Sequence, residues 1–122
     1  MSKYLVISST TEMFRLSIDE VMCVTSDGNY SNIVLETGDE IVVTMQIGKV
    51  EELMHCQFGK TECPFVRIGK CIIVNWNYIS YINPSQQILE LSNRRGSKNR
   101  YTASRKSLSE LKDFFDEMIK NR

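Results

Sequence analysis

The sequence predicts a mainly β protein, with about ten short strands in small antiparallel sheets, a short helix in mid-chain and a second helix at the C-terminal end. Three observations support this fold class. Short runs rich in β-branched and aromatic residues recur between residues 4 and 104, and turn-forming clusters separate them. No helix of crossover length lies between consecutive runs, which disfavours a parallel sheet. With 122 residues, the chain has the length of one domain, predicted to span residues 1–122.

The predicted strands follow one another at short intervals. They are residues 4–8, 13–17, 21–26, 30–36, 40–45, 64–68, 71–74, 78–82, 88–92 and 100–104. Turn signals separate many of them, such as Asp27-Gly28-Asn29, Thr37-Gly38-Asp39 and Arg95-Gly96-Ser97. Close spacing of this kind is typical of antiparallel hairpins and meanders.

Two segments depart from the strand pattern. Residues 48–55 are predicted as a short helix, because apolar residues at and around this segment recur at helical spacing. Residues 107–120 are predicted as a longer helix, since Ser107 followed by Glu110 is typical of a capping box. An apolar stripe runs along this second helix: Leu108, Leu111, Phe115, Met118 and Ile119. We expect the stripe to pack on a sheet rather than join a partner, because amphipathic helices gain most of their stability from docking.

The charge is distributed unevenly along the chain, although the formal net charge is zero. Residues 1–56 hold three basic residues against nine acidic ones, whereas residues 57–107 hold nine basic residues against two acidic ones. Such asymmetry favours a basic face that meets a polyanion. Residues 93–106 contain no acid and six basic residues: Arg94, Arg95, Lys98, Arg100, Arg105 and Lys106. A solvated hairpin with edge-protecting charges explains this segment equally well, but Arg67 and Lys70 on another segment favour nucleic acid.

Other classes of function have little support in the sequence. The chain has one histidine, His55, no serine or cysteine nucleophile with an evident base, and no Gly-rich phosphate loop. We therefore expect no catalytic residues, no small-molecule substrate and no cofactor. The four cysteines lack the paired spacing of a zinc site, so no metal is expected, and Cys23 and Cys71 are interpreted as small core residues. The absence of a signal peptide and of a long apolar run predicts a cytoplasmic protein without a membrane span.

The stretch FVRIGKCIIVNWNYISYI, residues 65–82, resembles the signature of LytTR-type (LytR/AlgR) DNA-binding domains. The matching positions are Phe65, Arg67, Lys70, Val74, Asn75, Ile79 and Ile82. Upstream, residues 21–54 are similar to the family's succession of strands, Gly-Asn-Tyr turn, Gly hairpin and short helix. Downstream, YTASRKSLSELK at residues 101–112 looks like the family's approach to its last helix. The resemblance covers about residues 13–115.

This resemblance implies an elongated β sandwich that binds promoter DNA through loops inserted in successive major grooves, often at tandem repeats. The partner is then double-stranded DNA, bound by single copies or by a homodimer. The implied base-reading residues are Ser31, Lys70 and Arg105. The resemblance together with the charge pattern gives the candidates for backbone contacts: Asn29, Asn32, Cys71, Arg94, Arg95, Lys98, Arg100, Ser104 and Lys106.

The chain departs from the family pattern at two positions beside Lys70. Gly69 stands where the family has histidine, and Cys71 stands where it has serine. Glycine predicts a looser turn, and a thiol is a poorer phosphate donor than a hydroxyl. Members of the family usually follow a phospho-receiver domain, whose acidic cluster is missing here. The chain is then either a free-standing regulator or a fragment of a longer protein, and the start at Met1 favours the free-standing regulator.

Two alternatives remain open. The departures at Gly69 and Cys71 are consistent with a non-catalytic protein-interaction module of the same fold with weakened DNA binding. A β-rich RNA binder would need exposed aromatic residues for base stacking. Tyr30, Trp76, Tyr78 and Tyr101 are present, but we expect Trp76 and Tyr78 to pack beside core positions.

Overall fold

The computed structural model describes residues 3–59 and 62–120. Within them, the chain forms ten strands in three antiparallel sheets and two α-helices, which confirms the predicted fold class. The backbone divides into two compact units, residues 1–77 and 78–122, and each is described separately. One domain over residues 1–122 stays a prediction, and its terminal residues 1–2 and 121–122 lie outside the described residues. No helix among the described residues is long and apolar enough to cross a membrane.

The first unit contains two sheets and helix α1 (Ile47–Phe58). Strands β1 (Tyr4–Ser8) and β2 (Met13–Ser17) form a two-stranded sheet. The second sheet has the strand order β5-β4-β3-β7-β6. Its strands are β3 (Val21–Asp27), β4 (Tyr30–Leu35), β5 (Glu40–Val43), β6 (Phe65–Ile68) and β7 (Ile72–Asn75).

Helix α1 packs into the hydrophobic core of this unit. It contributes Ile47, Val50, Met54 and Phe58, whose helical spacing places them on one face. The helix ends three residues later than predicted, because Phe58 continues the apolar face. Gly59 then ends the helix with φ 78°, a left-handed value that glycine adopts without steric cost.

Asn75 joins the end of β7 to the short turn that precedes β3. Its buried amide nitrogen donates to the carbonyl oxygens of Ile18 (3.3 Å) and Val21 (3.0 Å). Its side-chain oxygen accepts from the backbone N–H of Asn77 at 3.0 Å. Asn75 therefore satisfies three backbone groups, which gives this position of the family signature a structural role.

The second unit contains a three-stranded sheet and helix α2 (Arg105–Lys120). The sheet has the order β10-β9-β8, with β8 (Ile79–Asn83), β9 (Ile88–Ser92) and β10 (Lys98–Thr102). Strand β10 begins two residues earlier than predicted, because the hairpin pairs Lys98 with Ser92.

The capping box predicted at Ser107 and Glu110 is wrong. Helix α2 begins at Arg105, and the Ser104 hydroxyl oxygen accepts from the Ser107 backbone N–H at 3.1 Å. Ser104 is therefore the N-cap, and Ser107 lies inside the first turn. Both serines suit an N-cap by residue type, and the end of β10 decides between them.

The predicted packing of the α2 stripe is confirmed only for its first half. Leu108 and Leu111 are buried. Of the remaining stripe residues, Met118 and Ile119 are exposed, and Phe115 is half-buried with an edge-to-face contact to the exposed Phe114. The second half of α2 therefore leaves apolar side chains in solvent.

Candidate nucleic-acid interface

Two turns of the first unit lie at the same end of the five-stranded sheet. Gly28 and Asn29 form the β3–β4 turn, because Asp27 pairs with Tyr30. Residues 69–71 form the β6–β7 turn, because Ile68 pairs with Ile72. Strands β3 and β7 are neighbours, and the Ser26 N–H donates to the Cys71 carbonyl at 2.9 Å. We call these turns and the adjoining residues 30–32 and 44–46 the turn end.

The β6–β7 turn exposes Lys70 and Cys71 to solvent. The interpretation of Cys71 as a core residue is therefore wrong, because the turn takes three residues and β7 begins only at Ile72. Gly69 has φ 65°, in the left-handed region that glycine enters readily. Glycine thus favours this turn geometry instead of loosening it.

Arg67 fixes the β6–β7 turn through hydrogen bonds from its guanidinium group. One guanidinium nitrogen donates to the Glu51 carboxylate of α1 at 2.9 Å, and the other donates to the Lys70 carbonyl at 3.0 Å. Both side chains of the ion pair are half-buried. The sequence groups Arg67 with Lys70 on a basic face, but the structure pairs its charge with Glu51, so Arg67 acts as a positioning residue for the turn.

Strand β4 buries the residue expected to read a base. Ser31 is fully buried, and its hydroxyl donates to the Met45 carbonyl at 2.7 Å. Along β4, Ser31 shares a strand face with the core residue Ile33, so the two-residue period of the strand already indicated this orientation. This geometry does not support a base contact from Ser31, which instead ties β4 to the segment before α1.

Polar side chains next to Ser31 are better placed for contacts with solvent or DNA. The Asn29 side-chain oxygen accepts from the Gln46 amide at 3.0 Å, which fixes the turn against the start of α1. Asn29 and Tyr30 are exposed, and Asn32 is half-buried. Asp27 is also exposed beside this turn, so a carboxylate that disfavours phosphate lies next to the turn end.

In the second unit, the loop between β9 and β10 presents two arginines. The Asn93 side-chain oxygen accepts from the backbone N–H groups of Arg95 (3.0 Å) and Ser97 (2.9 Å). Arg94 and Arg95 are both exposed. The loop is therefore ordered by an Asx turn, while its cations face solvent.

Lys98 and Arg100, on β10, share one carboxylate. Arg100 donates to Glu90 at 2.8 and 3.2 Å, and the Lys98 ammonium lies 3.6 Å from the other carboxylate oxygen. The hydrogen bond from Arg100 holds the pKa of Glu90 below its ordinary value, and the two positive charges act in the same direction. Sequence reasoning missed this pairing, although Glu90 is the one acid between residues 63 and 109.

The first turn of α2 carries Arg105 and Lys106, which are exposed. Cations at a helix N-terminus oppose the helix dipole, at a cost of about 0.3–1 kcal/mol each. A bound phosphate would offset that cost, because it satisfies both the cations and the free N–H groups. The Ser104 hydroxyl donates to the Ser107 side-chain oxygen at 2.8 Å, so its hydrogen is not available to a phosphate in this arrangement.

No three His, Cys, Asp or Glu side chains converge on a metal-sized site within residues 3–59 and 62–120. The four cysteines are free thiols. Burial raises the pKa of the Cys63 thiol, which makes that thiol less reactive at neutral pH.

A family model of the LytTr DNA-binding domain matches residues 11–116. The chain belongs to this family. Among solved structures, a LytTr DNA-binding domain from Bacillus cereus is similar, with a TM-score of 0.61 and 18% sequence identity. The match covers 92% of this chain and 95% of that chain, and it shows the shared fold. No curated protein sequence matches the chain.

Membership of the LytTr family makes the chain a DNA-binding domain, and the family is described by DNA binding rather than by catalysis. The candidate residues fall in both units. The turn end holds Asn29, Asn32, Lys70 and Cys71, and the second unit holds Arg94, Arg95, Lys98, Arg100, Ser104, Arg105 and Lys106.

Proposed function

We propose that this LytTr domain is a sequence-specific transcriptional regulator that reads the major groove of promoter DNA with turns. The observation that carries the proposal is the exposed Lys70 on a turn whose backbone Arg67 holds in place. A lysine or arginine at a fixed position suits the acceptor atoms on the major-groove edge of guanine. Because Arg67 is paired with Glu51, the turn presents Lys70 as its cation.

Arg105 is the proposed base reader of the second unit. It is exposed on the first turn of α2, and the cap at Ser104 fixes where that turn begins. Backbone contacts are proposed for exposed or half-buried neighbours: Asn29, Asn32, Cys71, Arg94, Arg95 and Lys106. Ser31 is left out, because its buried hydroxyl is bonded to Met45.

The family resemblance supports two further parts of the proposal. The operators would be promoter repeats, and two copies of the domain would bind them, as adjacent copies or as a homodimer on DNA. Binding to promoters would place the protein with the chromosome in the cytoplasm.

Selection of duplex DNA from a random library with the purified full chain tests the proposed function. We expect one enriched motif, bound with an affinity that falls steeply with salt, at a slope of about −0.9 per phosphate contact. Lack of enrichment over random duplexes, together with a stable protein partner in pull-down, would favour the interaction module instead. Preferential competition by single-stranded RNA would favour the RNA-binding alternative.

A further inference from the structure

The outer face of the three-stranded sheet carries one nearly buried carboxylate. Glu90 lies on the central strand β9, directly opposite Arg100 in the antiparallel register. Its neighbours Leu89 and Leu91 point to the other face and are fully buried. The Glu90 side chain itself is only 10% exposed, so its charge is far less solvated than that of an ordinary surface acid.

Two cations cover this carboxylate and remain largely in solvent. The side chains of Lys98 and Arg100 are each 64% exposed. Arg100 uses Nε and one Nη2 hydrogen on a single Glu90 oxygen, and Lys98 lies near the other oxygen. The hydrogen bond from Arg100 and the charges of both cations lower the pKa of Glu90, so the cations stabilise the charged form of the carboxylate. Two of the six cations in residues 93–106 therefore share this one acid.

The groove beside Glu90 suits a phosphate backbone rather than a further cation. A shallow groove runs beside the cluster, lined by Lys98, Arg100 and four neutral residues, Ser80, Tyr81, Gln86 and Ile88. Glu90 is the one carboxylate in this lining. Without the Glu90 charge, the groove would present two exposed cations to any DNA strand.

We propose that Glu90 restrains Lys98 and Arg100 from the DNA backbone and thereby limits sequence-independent binding by this domain. Neutralisation of phosphates by Lys and Arg supplies essentially all of non-specific affinity. A carboxylate that occupies part of the guanidinium and repels phosphate lowers that affinity on every sequence. Base contacts elsewhere are unaffected, so the ratio of specific to non-specific binding rises. The inference rests on the proposed function for its biological meaning.

Glu90→Gln in the full chain tests the inference, because glutamine keeps the shape and one acceptor but removes the charge. The measurement is the dissociation constant for a random-sequence duplex over a range of salt concentrations. We expect several-fold tighter binding at low salt and a slope steeper by about one to two, since each freed cation adds about 0.9. The affinity for a selected operator should rise less, so the specificity ratio falls.

Glu110→Gln is the matched control, because it removes the same charge from the second unit. Glu110 is exposed on α2 and has no ion-pair partner within the described part of the chain. Its substitution should change random-DNA binding much less than Glu90→Gln. A double-mutant cycle adds a second readout: Arg100→Ala should weaken random-DNA binding in the Glu90→Gln background and have little effect with Glu90 present.

Two results would overturn the inference while leaving the proposed function intact. One is a Glu90→Gln salt slope equal to that of Glu110→Gln. The other is weaker binding of Glu90→Gln to random DNA, which would mean that Glu90 orients Arg100 toward phosphate. If Glu90→Gln does not fold, a strong loss of random-DNA affinity in Arg100→Ala alone would equally contradict restraint by Glu90. A wild-type chain that binds no DNA would contradict the proposed function and this inference together.

Discussion

Arg67 connects helix α1 to the β6–β7 turn through one guanidinium group. It pairs with Glu51 on one side and donates to the Lys70 carbonyl on the other. Its third nitrogen, Nε, is buried without a hydrogen-bond partner among the described residues. The residue type identified Arg67 as a cation, but only its partners show that it supports the turn.

Replacing Arg67 by alanine should therefore impair DNA binding without removing a phosphate contact. We expect the free energy of unfolding to fall by about 1.5–3 kcal/mol, the range for hydrogen bonds that involve charged groups. Affinity for the selected operator should fall as well, while the slope of log K against log salt stays unchanged. Binding titrations over a salt series measure both quantities.

Lys49→Ala provides the control for this prediction, because it removes an exposed ion pair with Glu52 from the same helix. Exposed pairs contribute about 0–1 kcal/mol, so stability and operator affinity should change little. A flatter salt slope for Arg67→Ala would show that Arg67 touches phosphate directly.

Asn75 is the second residue whose role follows from its contacts. Asn75→Ala leaves two carbonyls and one N–H without their partner. Each buried polar group left unsatisfied costs about 1–3 kcal/mol, so the loss of unfolding free energy should be about 2 kcal/mol or more. Urea denaturation measures it, with the exposed Asn77 as control: Asn77→Ala should stay within about 0.5 kcal/mol of wild type.

At the scale of elements, strand register decides where the turns and α2 begin. Pairing of Ile68 with Ile72 places Cys71 in a turn, and the end of β10 at Thr102 leaves Ser104 as the cap of α2. Neither boundary follows from local propensity, because cysteine and both serines suit more than one position. The existence of the two helices and the number of strands could be predicted from the sequence, because hydrophobic periodicity specifies both.

The cap of α2 gives a prediction at this scale. Ser104→Ala should lower the free energy of unfolding by about 1 kcal/mol, the usual cost of losing an N-cap side chain. Ser107→Ala should cost less, because the Ser104 oxygen still accepts from the backbone of residue 107. Thermal unfolding of the two variants measures the difference, and a larger loss for Ser107→Ala would restore Ser107 as the cap.

At the scale of the whole molecule, the charge pattern pointed to DNA but overstated the number of available cations. The basic segment and Lys70 were visible in the sequence. Pairing of Arg67 with Glu51, and of Lys98 and Arg100 with Glu90, was not, because these partners are brought together by strand register and helix packing. The family signature likewise located the β6–β7 turn, whereas the burial of Ser31 depended on which face of β4 meets the core.

The central claim, base reading by Lys70, is tested most directly by equilibrium binding of wild type and Lys70→Ala to every single-base-pair variant of the selected operator. We expect Lys70→Ala to lose about 1–3 kcal/mol on the operator and to stop discriminating at one position only. Lys120→Ala, at the far end of α2, serves as the control and should bind like wild type. Equal weakening on all variants and on random DNA, with a salt slope reduced by about 0.9, would show a phosphate contact and contradict base reading.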